Sequence, residues 1–524
     1  MREALYDART NSLILRVPDP LRVREAIPKS RLLTHPEYTV AVQYSGDAVK
    51  ILRNLGISAP GPIHFHYDWP GKYAPWTHQR DMADVLTTNR RVFNLSDMGT
   101  GKSAATLWAA DYLMTTGRIR RALILSPLST IDRVWMHDLF DVLMHRSAVL
   151  VYGSRERRLD ALKMDVDFYV MNHDGVTIPD VHRAISQRPD IDLIVVDEGS
   201  MFRNHDTKKY KALAKLIRPD HRLWWLTATP CPNAPTDAWA QAKLVNPARV
   251  PTYFGSFKRQ TMQQVSTFKW VARPEAYTAA FSALQPAVRY RKQDCLDLPP
   301  VTYADRQATL TPEQRDAFQS MKLKMMMEAG EPITAVNAAD RITKLRQILA
   351  GAIKDPVTGI YHTLPFSPRL QVLKDAIEQA NAKVIVVVPF TGIIHALHEA
   401  LAGDISTAIL NGEIPPRQRD RIIQQFKTEA DPHVLLCHPR VMSHGLNLTE
   451  ADTTIFYAPI YSNDEYQQVQ ERFNRAGQTR KMTVVRIAAH PLEWEIYRTL
   501  ANRGNTQQTI LDLYKHITTS DTTA

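Results

Sequence analysis

Residues 92–104 read VFNLSDMGTGKSA, an apolar β-branched and aromatic run, then a glycine-bearing loop, then the start of an apolar helix. This placement decides the fold, because a strand that delivers a glycine loop to a helix N-terminus builds an anion cradle. Gly99 and Gly101 let backbone N–H groups approach phosphate oxygens, while Met98 and Thr100 complete the loop. Lys102 can reach the β and γ phosphates, and Ser103 can hold Mg²⁺. The departure is Ser96, where the full phosphate-loop pattern has glycine.

Outward from that loop, short apolar runs alternate with helical stretches: ALILS at 122–126, FYVM at 168–171, LIVVD at 193–197 and LWWLT at 223–227. A second series follows, with KVIVVV at 383–388, TAIL at 407–410, HVLLC at 433–437, TTIFY at 453–457 and MTVVRI at 482–487. Strands alternating with helices predict parallel sheets covered on both faces. The fold class is therefore α/β with two parallel-sheet lobes, at 73–245 and 306–510. Residues 1–72 form a small α+β module, 246–305 a basic and aromatic linker or insertion, and 511–524 a polar tail. Within 311–350, Phe318, Met321 and Met325, then Ile342, Leu345 and Leu349, recur at helical spacing and read as core.

The 524 residues are 44% apolar and 23% charged, which excludes a disordered or fibrous chain. No run approaches the ~18 to 20 apolar residues that span a bilayer, and the first residues are charged, so a cytoplasmic location, bacterial or in an infected host cell, is expected. Cys231, Cys295 and Cys437 lie far apart, with no zinc or disulfide spacing. Lys and Arg total 65 against 54 acidic residues; the net charge of +11 favours a polyanionic partner.

Two further clusters carry chemistry. Asp197 and Glu198 follow the strand LIVV, and in a parallel sheet the carboxyl edge of the strands is where ligands bind. One carboxylate, Asp197, can hold the Mg²⁺ shell with Ser103 while the other polarises an attacking water. In QVQERFNRAGQ at 468–478, Gln468, Arg472 and Arg475 fall at i, i+4 and i+7, a helical stripe that Gly477 can end. Such arginines can stabilise developing phosphoryl charge, although a stripe of this kind is also a common salt-bridged surface.

Together these blocks resemble the Swi/Snf-type branch of superfamily 2 helicase-like DNA translocases, over roughly residues 73 to 490. WTHQR at 76–80 resembles the glutamine motif, so Gln79 would read the adenine edge. SDMGTGKS resembles motif I, LILSPLSTIDRVWMHD at 123–138 motif Ia, VMNHDGV at 170–176 the next block, VVDEGS at 195–200 motif II and LTATP at 226–230 motif III. RKQDCLDLPP at 291–300, LRQILAG at 345–351 and SPRL at 367–370 resemble the stretches that join the lobes. LNGEIPPRQRDRIIQQF at 410–426, MSHGLNLTEAD at 442–452 and QVQERFNRAGQTRK at 468–481 resemble the second-lobe motifs. Departures are DEGS for DEAH, which puts Ser200 at a coupling position, Ala228 for glycine in LTATP, and Gly445 alone in HGLNL. They mark a compact bacterial or phage type. Residues 13–57 resemble the small HARP-like modules that precede some annealing-type translocases.

The resemblance implies two RecA-like lobes with ATP and nucleic-acid sites at the cleft between them. It implies an ATP hydrolase with Lys102, Asp197, Glu198, Arg472 and Arg475 as catalytic groups, and ATP with Mg²⁺ as cofactors, contacted by residues 98–103, Gln79 and Gln468. Nucleic-acid contacts would come from Ser129, Thr130, Thr227, Thr229, His444 and Asn447. Each of these is also the kind of residue that satisfies a turn. The partner implied is double-stranded DNA, with single strands or RNA as other substrates, acting on a chain taken as a monomer. A strand-separating helicase is the nearest rival reading; a non-hydrolysing nucleotide-gated scaffold is disfavoured because Lys102, Glu198 and Arg475 are all present.

Overall fold

The computed structural model describes residues 4–501 apart from 129, 267–268, 296–298, 328–334, 356–357, 443–447, 461, 471 and 475–477. The chain divides into two compact units, Met1–Leu296 and Asp297–Ala524.

The first unit opens with the strands β1 (Ala4–Asp7), β2 (Ser12–Leu15), β3 (Arg31–Leu32) and β4 (Val40–Gln43), an antiparallel sheet in the order β1-β2-β4-β3. Alternate residues Leu13, Leu15, Val40 and Val42 point into a core shared with Val49 and Leu52 of the helix Gly46–Asn54. Ser45 caps that helix, its hydroxyl accepting the Ala48 N–H at 3.1 Å. The helix is tied to the following lobe by Arg53, which meets the buried Asp84 carboxylate at 2.6 Å. The module is thus α+β, as the sequence predicts.

The first lobe is built on β5 (Arg91–Asn94), β6 (Arg121–Ser126), β7 (Ala148–Val151), β8 (Phe168–Asn172), β9 (Ile191–Val196) and β10 (Arg222–Leu226). The stretch 246–305, expected to be a linker or insertion without βα alternation, holds regular structure. It carries the helix Phe254–Thr261, a hairpin of β11 (Met262–Ser266) and β12 (Lys269–Ala272), the helix Ala276–Ala283 and the short strand β13 (Ala287–Val288). β13 pairs with β5, so this stretch returns to the sheet instead of leaving it. All seven sheet strands run parallel in the order β13-β5-β10-β9-β6-β8-β7. Their near-continuous apolar runs supply a core on each face, one around Trp225 and Tyr169 and the other around Trp224 and Trp135.

The second unit contains β14 (Val301–Gln307), a hairpin of β15 (Ala352–Lys354) and β16 (Tyr361–Thr363), then β17 (Lys383–Val387), β18 (Thr407–Leu410), β19 (Val434–Cys437), β20 (Ala451–Phe456) and β21 (Met482–Ala488). Six of these form a parallel sheet in the order β14-β21-β20-β17-β19-β18. Arg369 of the SPRL block is fully buried here, donating to the Tyr457 carbonyl at 2.9 Å and pairing with buried Glu493. The Glu493 carboxylate also accepts the Ala489 N–H at 2.7 Å.

Candidate active site

The loop after β5 turns through two left-handed glycines, Gly99 at φ 78° and Gly101 at φ 77°, before the helix Lys102–Thr115 begins. Gly101 is obligatory twice over. Its φ suits glycine, and a Cβ there would lie 1.9 Å from Nε2 of Gln79. Gln79 is buried, its Oε1 accepting the Trp76 N–H at 2.9 Å, so the WTHQR block lies directly against the loop. His78 is buried beside it, with Nε2 2.9 Å from the Thr100 carbonyl, and burial pushes its pKa down.

Lys102 folds back over the loop, its ammonium donating to the carbonyls of Ser96 at 2.9 Å and Asp97 at 3.0 Å. An ammonium held by carbonyls in the hollow of a glycine loop at a helix N-terminus fits an anionic phosphate group. Ser103 and Met98 are half-buried on either side. Thr100 is buried, its hydroxyl donating to the Asp97 carbonyl at 2.8 Å, which fixes the loop and leaves its backbone as the part that faces outward chemistry.

Ser96 explains its own departure from glycine. Its hydroxyl accepts the Tyr290 N–H at 3.0 Å, while Asp97 donates its N–H to the Tyr290 carbonyl at 2.9 Å and accepts the Lys292 N–H at 3.1 Å. The segment after β13 is thereby laced to the phosphate loop. Tyr290 reaches on to Asp81 at 2.9 Å, closing a cleft of about 680 Å³ lined by Trp76, His78, Asp81, Tyr290 and Asp294. Sequence reasoning placed Tyr290 and Lys292 in a linker; their role follows only from the pairing of β13 with β5.

The carboxyl edges of β5, β10, β9 and β6 are neighbours, so the phosphate loop, the turn at 227–230, the Asp197–Glu198 pair and the turn after Ser126 share one rim. Asp197 is held on all sides. Its Oδ2 accepts from the Ser126 hydroxyl at 2.8 Å and the Trp135 indole at 2.9 Å, and its Oδ1 accepts the Glu198 N–H at 3.0 Å. A carboxylate offers about four acceptor sites, so three donors fix its plane and leave it capacity for a cation or water. Trp135 belongs to a π-helical turn, Ile131–Met136, and is fully buried. His173 supports the same turn from below, its Nε2 2.8 Å from the Asp197 carbonyl. Burial pushes the His173 pKa down to about 4, so it is neutral near pH 7.

Glu198 takes a left-handed conformation at φ 47°, uncommon for a residue with a side chain and typical of strained functional turns. The next residue, Gly199, sits where a Cβ would lie 1.9 Å from Nε1 of Trp225. That indole nitrogen donates to Gln241 at 3.0 Å and cannot swing away without losing its partner. The DEGS sequence is thus shaped by the tryptophan beneath it, and Ser200 is buried.

Several expected nucleic-acid contacts are engaged within the fold. The Thr130 hydroxyl lies 2.7 Å from that of Ser126 and donates to the Pro127 carbonyl at 3.0 Å. Thr227 is buried and accepts the Thr229 N–H at 3.3 Å, a turn-capping role. Ser129, His444, Asn447 and Arg475 lie outside the described residues. In the second unit the helix carrying Gln468 spans Asn463–Gln470. Arg472 lies on the following turn, its Nε donating to the Gln468 carbonyl at 3.2 Å and its own carbonyl accepting the Leu448 N–H at 3.1 Å. The Arg472 N–H donates to the Val469 carbonyl at 3.0 Å, which keeps Gln468 and Arg472 within bonding reach of one another.

Two parallel-sheet lobes with their motif loops at the strand carboxyl edges define an α/β protein of the RecA-like, helicase-related class. The chain belongs to the SNF2-related family, whose domain matches residues 87–355, and the helicase conserved C-terminal domain matches residues 368–477. It is similar to an uncharacterized ATP-dependent helicase of Mycoplasma genitalium, 25% identical over 75% of this chain and 37% of that protein. Protein p41 of Acyrthosiphon pisum secondary endosymbiont phage 1 is 24% identical over 84% of this chain and 98% of its own length. The ATP-dependent DNA helicase DDM1 of Arabidopsis thaliana is 22% identical over 75% of this chain and 55% of that protein. The chain thus spans little more than a third of the mycoplasma relative and nearly all of the phage one. No helix among the described residues is long and apolar enough to cross a membrane.

Proposed function

We propose that this chain is an ATP-dependent motor that hydrolyses ATP to ADP and phosphate, with Mg²⁺, to move along or remodel double-stranded DNA. The observation that carries the reading is the shared rim, where four adjacent strands present the phosphate loop and a carboxylate already fixed by three donors. Bound nucleotide supplies the phosphoanhydride bond whose cleavage releases the energy for movement. Lys102, released from the loop carbonyls, would bind phosphate oxygens, and residues 98–101 would wrap them with backbone N–H groups. Ser103 and Asp197 would hold Mg²⁺, and Glu198 would orient the attacking water. Gln79 would read the adenine edge beside the 680 Å³ cleft, and Gln468, Arg472 and Arg475 would act from the second lobe.

DNA as the track is supported by family membership, by a relative that is a DNA helicase, and by the net charge of +11. The test is the steady-state ATPase rate with no nucleic acid, single-stranded DNA, double-stranded DNA and RNA. Selective stimulation by the duplex is expected, whereas stimulation by single strands or RNA alone would make the chain an unwinding helicase. Lys102→Ala is expected to abolish turnover and weaken nucleotide binding, while Glu198→Gln abolishes turnover and leaves binding near wild type. Wild-type turnover in either variant would remove the site assignment.

A further inference from the structure

Residues 246–295 hold eight Lys and Arg residues against Glu275 and Asp294 alone, a surplus of +6 out of the chain's +11 in less than a tenth of its length. Elsewhere in the first unit several arginines are paired with carboxylates: Arg120 with Asp192 at 3.0 Å, Arg146 with Asp111 at 2.6 Å and Arg188 with Asp190 at 2.7 Å. Three cations of this stretch differ. Among the described residues, no carboxylate forms an ion pair with Lys258, Arg259 or Arg273.

These cations stand on a rigid mount. Phe257 and Thr261 of the helix Phe254–Thr261 are buried, and the Thr261 hydroxyl donates to the Phe257 carbonyl at 2.9 Å. Arg273 fastens the β11–β12 hairpin to that helix, its Nε donating to the carbonyls of Arg259 at 3.1 Å and Met262 at 3.2 Å. The Lys258 ammonium lies 4.0 Å above the Trp270 ring, which holds a flexible side chain in one place. Tyr253, at the start of the helix, is 76% exposed.

We propose that the helix 254–261 and its hairpin form a duplex-DNA backbone-binding surface on the first lobe, separate from the motif loops. Lys258, Arg259 and Arg273 contact phosphates, and Trp270 positions Lys258. Cations left without carboxylates and fixed in space release counterions from a polyanion at low ordering cost. The surface carries no base-reading pattern, so it grips DNA without regard to sequence. This inference rests on the DNA-motor reading above.

The test compares full-length wild type with Lys258→Ala/Arg259→Ala in duplex binding across a salt series, alongside the ATPase rate without DNA. A control, Lys163→Ala/Arg183→Ala, removes the same net charge from exposed positions on the helices Arg155–Lys163 and Pro179–Ser186. The expected result is a duplex affinity about 10-fold or more weaker, a salt slope shallower by about 2 and an unchanged DNA-free ATPase, with the control near wild type. Trp270→Ala is expected to give a smaller loss in the same direction. Equal losses in the control, or an unchanged slope in the test variant, would overturn the surface while leaving the motor reading intact. A wild-type protein that neither binds duplex nor is stimulated by it would overturn both.

Discussion

At the scale of single residues, the site turns on how Asp197 is held. Trp135 and Ser126 share its Oδ2, and a hydrogen bond to a charged acceptor contributes about 1.5 to 3 kcal/mol. Trp135→Phe keeps the buried ring and removes the donor, so the fold should persist while Asp197 gains a rotation. Turnover is expected to fall about 10-fold or more, and half-saturating Mg²⁺ to rise, with a melting temperature lowered by the smaller ring and the lost bond; an unaltered Mg²⁺ titration would show that the indole only packs. Lys102, Asp197 and Glu198 stand out in the sequence because chemistry and placement coincide within a few residues. Trp135 does not, since it lies 62 residues from Asp197 and meets it only because β6 and β9 are neighbours. The Thr130 and Thr227 hydroxyls are engaged in turns of the fold itself.

Elements show why a turn or a helix ends where it does. The β9 turn depends on Gly199, whose missing Cβ admits the Trp225 indole. Gly199→Ala forces that indole off Gln241, and overpacking of this kind costs about 1 to 3 kcal/mol. We expect a lower melting temperature and reduced turnover together, with wild-type values for both excluding the close approach. In the second lobe, Arg472 follows the helix Asn463–Gln470, and its carbonyl accepts the Leu448 N–H from a distant segment. Periodicity sees neighbours along a chain and is blind to a partner arriving from another strand. SPRL likewise resembled a joining stretch, but Arg369 is buried with Glu493. Arg369→Ala strands a buried carboxylate and is expected to destabilise the protein by about 3 to 5 kcal/mol in denaturant unfolding. Arg369→Met/Glu493→Leu removes both charges and should recover most of that loss; a double variant no better than the single would show that packing, and not the charge, is what Arg369 supplies.

Across the whole molecule, the strand series made both parallel sheets legible, because apolar runs between helices admit few other arrangements. Harder to see was that β13 returns to β5 from within the basic and aromatic stretch that begins at residue 246, since a two-residue strand has no periodicity to detect. Acid stability is a property at this scale too. Burial pushes both His173 and His221 down to about 4, and pushes His438 and His490 down as well. An unfolded histidine titrates near 6.5, so between about pH 6.5 and 4 the unfolded chain binds protons that the folded chain refuses. The stability these neutral histidines contribute is complete above pH 6.5 and is lost as pH falls through that window, at up to about 1.4 kcal/mol per pH unit for each histidine. Asp190, held well below the usual carboxylate range by its bonds from Arg188, stays charged throughout and leaves the window to the histidines. The melting temperature is therefore expected to drop steadily from pH 7 to pH 5, and less steeply in His173→Asn; a flat profile in the wild type would mean that these rings take up protons as readily in the folded as in the unfolded chain.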